Sequence, residues 1–187
     1  MILALEGPDG SGKTTMFRAL RDFYKQCPGC SSPACFNGKL TFVDFPSMGA
    51  KLWPFAQQVE DRDVKLFTSL YDPAKTYVTD RFFATTGPVY ARAFTRRVPD
   101  YDEWWPKVHV IYLAAPFDIL VDRIQLRRAK DAKKAREPVL DKLNLVIKEY
   151  QIALTAGQWT ASIIPSMCDI SITEQLVKAC IRSQLSN

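Results

Sequence analysis

Short apolar runs alternate along this chain with stretches whose apolar residues recur three and four apart. Ile2-Leu3-Ala4-Leu5 reads as a buried strand, and Phe17, Leu20 and Tyr24 mark the helix after it. A Pro/Gly/Ser/Cys-rich loop over about 28–39 precedes a second strand, Leu40-Thr41-Phe42-Val43-Asp44-Phe45. Short helices are predicted over 49–72, broken around Pro54 and ended near Pro73. The third strand is Thr76-Tyr77-Val78-Thr79-Asp80, followed by a helix over 82–95 with a bend at Pro88. Val108-His109-Val110-Ile111-Tyr112-Leu113 forms the fourth strand, and Pro116 opens the next helix. Leu140, Leu143, Ile147, Tyr150 and Leu154 stripe one face of a long helix. A fifth strand lies near 159–164, and Ser171 with Glu174 predicts a capping box for the last helix. The alternation predicts an α/β fold, a five-stranded parallel sheet covered on both faces, in one domain over 1–187.

The join between the first strand and the first helix carries the chemistry. Gly7-Pro8-Asp9-Gly10-Ser11-Gly12-Lys13-Thr14 matches G-x-x-x-x-G-K-[ST], the phosphate-binding loop. Glycines let backbone N–H groups turn in around phosphate oxygens, and the helix N-terminus adds positive potential. Gly10, Ser11, Gly12, Lys13, Thr14 and Thr15 are the candidate nucleotide-binding residues. Lys13 is placed to reach the β- and γ-phosphates and Thr14 to ligate Mg²⁺, so the expected cofactors are ATP and Mg²⁺.

A second cluster follows from topology. Asp80-Arg81 ends the third strand, and ligands gather at the carboxyl ends of parallel strands. An acid there can hold Mg²⁺, and an arginine fork can clamp phosphates. The basic stretch Arg127 to Arg136 is predicted to be part of a lid over about 124–138. Arg123 and Arg127 are its candidate catalytic arginines, because phosphoryl transfer spreads negative charge over the γ-oxygens.

Composition narrows the setting. The 187 residues are 47% hydrophobic and 24% charged, which suits a globular domain. No apolar run approaches the roughly 18 residues of a membrane span, and no leader precedes the first strand, so a cytoplasmic protein is expected. Net charge is +5, suited to phosphate handling or to a nucleic-acid surface. Cys27, Cys30 and Cys35 read as free thiols of an inserted loop, with structural zinc as the alternative.

With these motifs in place, the chain resembles the thymidylate kinase family. The likeness rests on Leu5-Glu6-Gly7-Pro8-Asp9-Gly10-Ser11-Gly12-Lys13-Thr14-Thr15, on Phe45-Pro46, on Leu66-Phe67, on Asp80-Arg81-Phe82 and on the run from Trp104 to Leu113. The resemblance implies a P-loop kinase that moves phosphate from ATP to a deoxynucleotide acceptor such as dTMP. It implies that Asp9 contacts the acceptor's sugar, Phe67 stacks on its base, and Arg81 touches the transferred phosphate. Phe45 and Tyr71 fall at acceptor positions, and a homodimer is common among such kinases.

Two positions depart from the family. Asp44 stands where an arginine usually grips the acceptor's phosphate, and Tyr71 where one reads the base. A carboxylate at Asp44 suits a general base acting on a hydroxyl. The acceptor is then a free deoxynucleoside or a modified base in DNA, such as 5-hydroxymethyluracil. Arg92, Arg96, Arg97, Trp104 and Trp105 would form the surface toward DNA. A GTPase is excluded by the missing N-K-x-D and D-x-x-G motifs. A non-catalytic nucleic-acid-binding module is the reading from another class, and it leaves the intact Gly12-Lys13-Thr14 without a role.

Overall fold

The structure, a computed structural model, describes residues 1–25, 40–45, 56–130, 139–166 and 169–186. The expectations for Cys27, Cys30, Cys35, Pro46, the break at Pro54 and the basic residues beyond 130 lie outside them. Strands β1 (Ile2–Glu6), β2 (Leu40–Asp44), β3 (Thr76–Asp80), β4 (Val108–Ala114) and β5 (Thr160–Pro165) form one sheet in the order β2-β3-β1-β4-β5. All four pairings are parallel, as the strand–helix alternation predicts.

Helices α1 (Lys13–Lys25) and α6 (Ile170–Ser186) cover one face. There Met16, Phe17 and Leu20 of α1 and Val177 and Ile181 of α6 bury Leu3, Leu5, Val78, Ile111 and Leu113. Helices α2 (Ala56–Leu70), α3 (Phe83–Ala93) and α5 (Val139–Thr155) cover the other. Helix α4 (Phe117–Lys130) packs Leu120 and Ile124 on Leu143 of α5. Because side chains alternate along a strand, β1 feeds both cores: Ile2 and Ala4 enter one, Leu3 and Leu5 the other.

Two expectations need correction. The last helix starts at Ile170, not at Ser171, and Asp169 caps it: its carboxylate accepts the Ser171 N–H and hydroxyl, both at 2.7 Å. An aspartate caps as well as a serine, so the one-residue shift changes the cap without weakening it. Glu174 pairs instead with Lys178, one turn on, at 2.5 Å.

Trp104 and Trp105 are not an exposed aromatic pair. Trp104 is buried against Phe67, Phe82 and Phe83. Trp105 is half-buried and donates its indole N–H to the Ala84 carbonyl at 2.9 Å. That carbonyl lies four residues before Pro88, which has no N–H to give it. The indole supplies the donor that the helix lacks.

Candidate active site

Every strand points its carboxyl end the same way, so the β1–α1 loop, Asp44 and the Asp80-Arg81 turn share one rim. Asp44 closes β2, is exposed, and lies abreast of Asp80 in the register. Leu5 flanks Asp80 on its other side.

The loop turns tightly because its glycines adopt conformations closed to other residues. Gly7 has φ +139°, and a Cβ there would sit 2.7 Å from the Leu113 carbonyl. At Gly10, with φ +85°, a Cβ would meet the Leu120 carbonyl at 3.0 Å. From behind, Arg123 of α4 donates to the Gly10 carbonyl at 3.1 Å, and Ser166 donates to the Ser11 carbonyl at 2.6 Å. Arg123 thus braces the loop through its backbone. Arg127, one turn further along α4, is close enough that its charge acts on Asp9. Thr14 and Thr15 are exposed in the first turn of α1, whose leading N–H groups have no intrahelical acceptor.

Lys13 is buried and folds its ammonium over the loop, donating to the Gly7 and Pro8 carbonyls at 2.7 and 2.8 Å. Burial, and then the Arg81 charge, lowers its pKa to about 8 against the opposing pull of Asp9, Asp80 and Glu6. Asp9 accepts from Arg81 at 2.5 Å and from the Tyr90 hydroxyl at 2.9 Å. Burial works to raise the Asp9 carboxyl, but Arg81, Lys13 and the Tyr90 bond together hold it well below the usual carboxylate range. Burial and the Asp9 charge push the Tyr90 hydroxyl far up. The Lys13 ammonium, the Arg81 guanidinium and the Asp9 carboxylate therefore sit together beside the loop.

Arg81 has φ +69°, a left-handed conformation unusual outside glycine. Its N–H reaches the Leu5 carbonyl at 3.1 Å, and the next N–H, of Phe82, reaches the Glu6 carboxylate at 2.8 Å. Strain of this kind persists where surrounding bonds over-determine it. Asp80, also buried, keeps Oδ1 without a hydrogen-bond partner among the described residues.

Phe67, expected to stack on a base, is fully buried. Its ring lies between 5.1 and 6.0 Å from those of Phe45, Tyr71, Tyr77, Phe82, Phe83 and Trp104. A base stacked on Phe67 would first have to displace one of these rings. Phe45 is buried in the same cluster, and Tyr71, half-buried, borders it. Periodicity marks such positions as apolar but does not say whether a ring faces core or ligand.

Tyr90, Ser166 and Glu6 were not singled out by the sequence reading. Tyr90 looks like one more apolar position of α3, and only the fold brings its hydroxyl to Asp9. Glu6 had a usable signal: an acid closing an apolar strand at the mouth of the loop.

No protein-family model matches the chain, and no curated protein does. Solved structures do. Deoxyadenosine kinase from M. mycoides with bound dCTP aligns with a TM-score of 0.58 at 15% identity, covering 98% of this chain and 100% of that one. YorR protein from Bacillus subtilis, in complex with phosphorylated GDP, aligns with a TM-score of 0.62 at 15% identity, covering 100% and 99%. Thymidylate kinase from Ehrlichia chaffeensis aligns with a TM-score of 0.58 at 14% identity, covering 97% and 98%. These likenesses span whole chains, and the chain has the α/β fold of the P-loop deoxynucleoside and nucleotide kinases.

Proposed function

We propose that the protein is an ATP- and Mg²⁺-dependent kinase that transfers the γ-phosphoryl group to a deoxynucleotide-type acceptor, by default a nucleoside monophosphate such as dTMP. The observation that carries this reading is the meeting of Lys13, Asp9, Arg81 and Asp80 at the mouth of the glycine loop. The kinase fold and the names of the aligned proteins support it.

Lys13 would exchange its loop carbonyls for β- and γ-phosphate oxygens while the loop N–H groups hold the remaining phosphate charge. Asp80 and Thr14 suit a magnesium ion: Asp80 Oδ1 is buried without a partner among the described residues, and Thr14 offers a hydroxyl at the helix start. Bound there, the ion would neutralise phosphate charge. Arg81, held rigid by Asp9, would stabilise the oxygens that gain charge as the acceptor attacks, with Arg127 as a further cation. Asp9 and Tyr90 would orient the acceptor's sugar, with Phe45 and Tyr71 bordering its pocket.

One observation favours a second reading. Asp44 is exposed on the same rim as Asp80, where a general base toward a hydroxyl would stand. The acceptor would then be a free deoxynucleoside, or a hydroxymethylated base within DNA.

A transfer screen with ATP labelled in the γ-phosphate decides between them. It includes dTMP, other monophosphates, free deoxynucleosides, and plain and hydroxymethylated DNA. Label on a monophosphate supports the main reading. Label on nucleosides or DNA alone replaces it with the second, and Asp44→Asn should then abolish most of the rate. Lys13→Ala is expected to cut turnover by about a hundredfold or more with circular dichroism unchanged. Full activity in that variant refutes the site.

A further inference from the structure

Glu6 is fully buried, and its carboxylate is filled from three directions. Oε1 accepts the Phe82 N–H at 2.8 Å, the Thr85 hydroxyl at 2.6 Å and the Thr86 hydroxyl at 2.8 Å. Oε2 accepts the Thr86 hydroxyl at 2.8 Å and the Tyr150 hydroxyl at 2.7 Å. Its donors come from the Arg81-Phe82 turn, the first turn of α3, and α5. Burying a carboxylate among neutral donors is costly, and an apolar residue would serve a plain core position better. Glu6 is also covalently joined to Gly7, whose carbonyl takes the Lys13 ammonium.

We propose that Glu6 is a positioning residue: it fixes the left-handed Arg81 turn and the start of the phosphate loop in a common frame, so that Arg81 and Lys13 meet the same phosphoryl group. The Phe82 N–H is the critical donor. It adjoins Arg81 directly, and unlike the hydroxyls it cannot rotate to another acceptor. With the Arg81 N–H tied to the Leu5 carbonyl, two consecutive N–H groups of the turn are bound to two consecutive residues of β1. Tyr150 and the two threonines hold the carboxylate in orientation. The inference rests on the kinase reading for its rate measurement, and on amide exchange for a readout independent of it.

The test compares Glu6→Ala with Glu6→Gln. A glutamine can accept from Phe82 and Thr85 through its oxygen and donate its amide to the Tyr150 hydroxyl, so the frame survives. Glu6→Ala is expected to lower kcat tenfold or more with the KM for ATP within threefold, and to speed exchange of the Phe82 amide at least tenfold. Glu6→Gln is expected to restore both readouts to within about threefold of the parent protein. A folded Glu6→Ala that retains slow Phe82 exchange overturns the inference whether or not phosphate is transferred. So does a Glu6→Gln variant as impaired as Glu6→Ala. Should Glu6→Ala not fold, Thr85→Val/Thr86→Val removes two of the fixing donors and keeps the shape. A kcat loss of threefold or more there supports the role, and a smaller loss overturns it.

Discussion

The guanidinium of Arg81 grips the Asp9 carboxylate at 2.5 Å, joining the phosphate loop to a turn 72 residues away. Both side chains are mostly shielded from solvent, and removing one member of such a pair strands the other. Asp9→Asn is therefore expected to destabilise the fold by about 3 kcal/mol at pH 7 in urea titrations. The folded pKa of Asp9 lies below its unfolded value of about 4. Its contribution is thus fully present above about pH 4 and is lost as pH falls through the depressed folded value. The gap between parent and variant should narrow only in strong acid. A gap independent of pH down to the acid limit would contradict the pairing.

Trp105 completes the broken helix at Pro88. Trp105→Phe keeps an aromatic ring, though a smaller one, and leaves the Ala84 carbonyl without its indole donor. It should cost about 1 kcal/mol, read as a lowered urea midpoint at unchanged m-value. Restoring the helix's own donor with Pro88→Ala should offset part of that loss in the double variant.

Tyr101 supplies the opposite case. Its ring packs on Phe83 and against Gly87, but its hydroxyl is buried without a partner among the described residues. Burial, and then Glu60, drives that hydroxyl's pKa far up. Tyr101→Phe removes the unmatched oxygen and should leave stability unchanged or raise it by about 1 kcal/mol. A loss of similar size would reveal a partner.

His109 is the only histidine in the chain, so its NMR titration is free of overlap. Burial lowers its pKa from the ordinary 6.5, and a ring nitrogen lies 2.9 Å from the Ser162 hydroxyl. The midpoint should fall below 6.5. Since the unfolded chain takes up the proton first, this group's contribution is present above pH 6.5 and is lost as pH falls toward the folded value. A midpoint at or above 6.5 would mean the ring is not shielded.

The strand and helix segments were readable because β1 and β4 are buried along nearly their whole length and are therefore almost continuously apolar; the order of the strands across the sheet was not. The glycine loop was readable because few residue types tolerate its backbone. What the sequence hid were hydrogen bonds across long separations. Tyr90 and Tyr150 satisfy helical periodicity through their rings, which conceals that their hydroxyls serve Asp9 and Glu6. Trp105 seemed available to a ligand because its task, mending α3 at Pro88, exists only once the chain has folded back on itself. The aromatic cluster around Phe67 illustrates the same limit: each ring is visible in sequence, but their enclosure of one another is not.

Glu6 receives its farthest hydrogen bond from a tyrosine 144 residues along the chain, and its strand lies in the middle of the sheet. On the ribosome, β1 is made well before β4, which covers one of its edges, and before α5, which completes its carboxylate. This strand therefore stays unfinished until those later elements are made, with its edges exposed. The bonds that fix the end of β1 can therefore close only after α5 has been made.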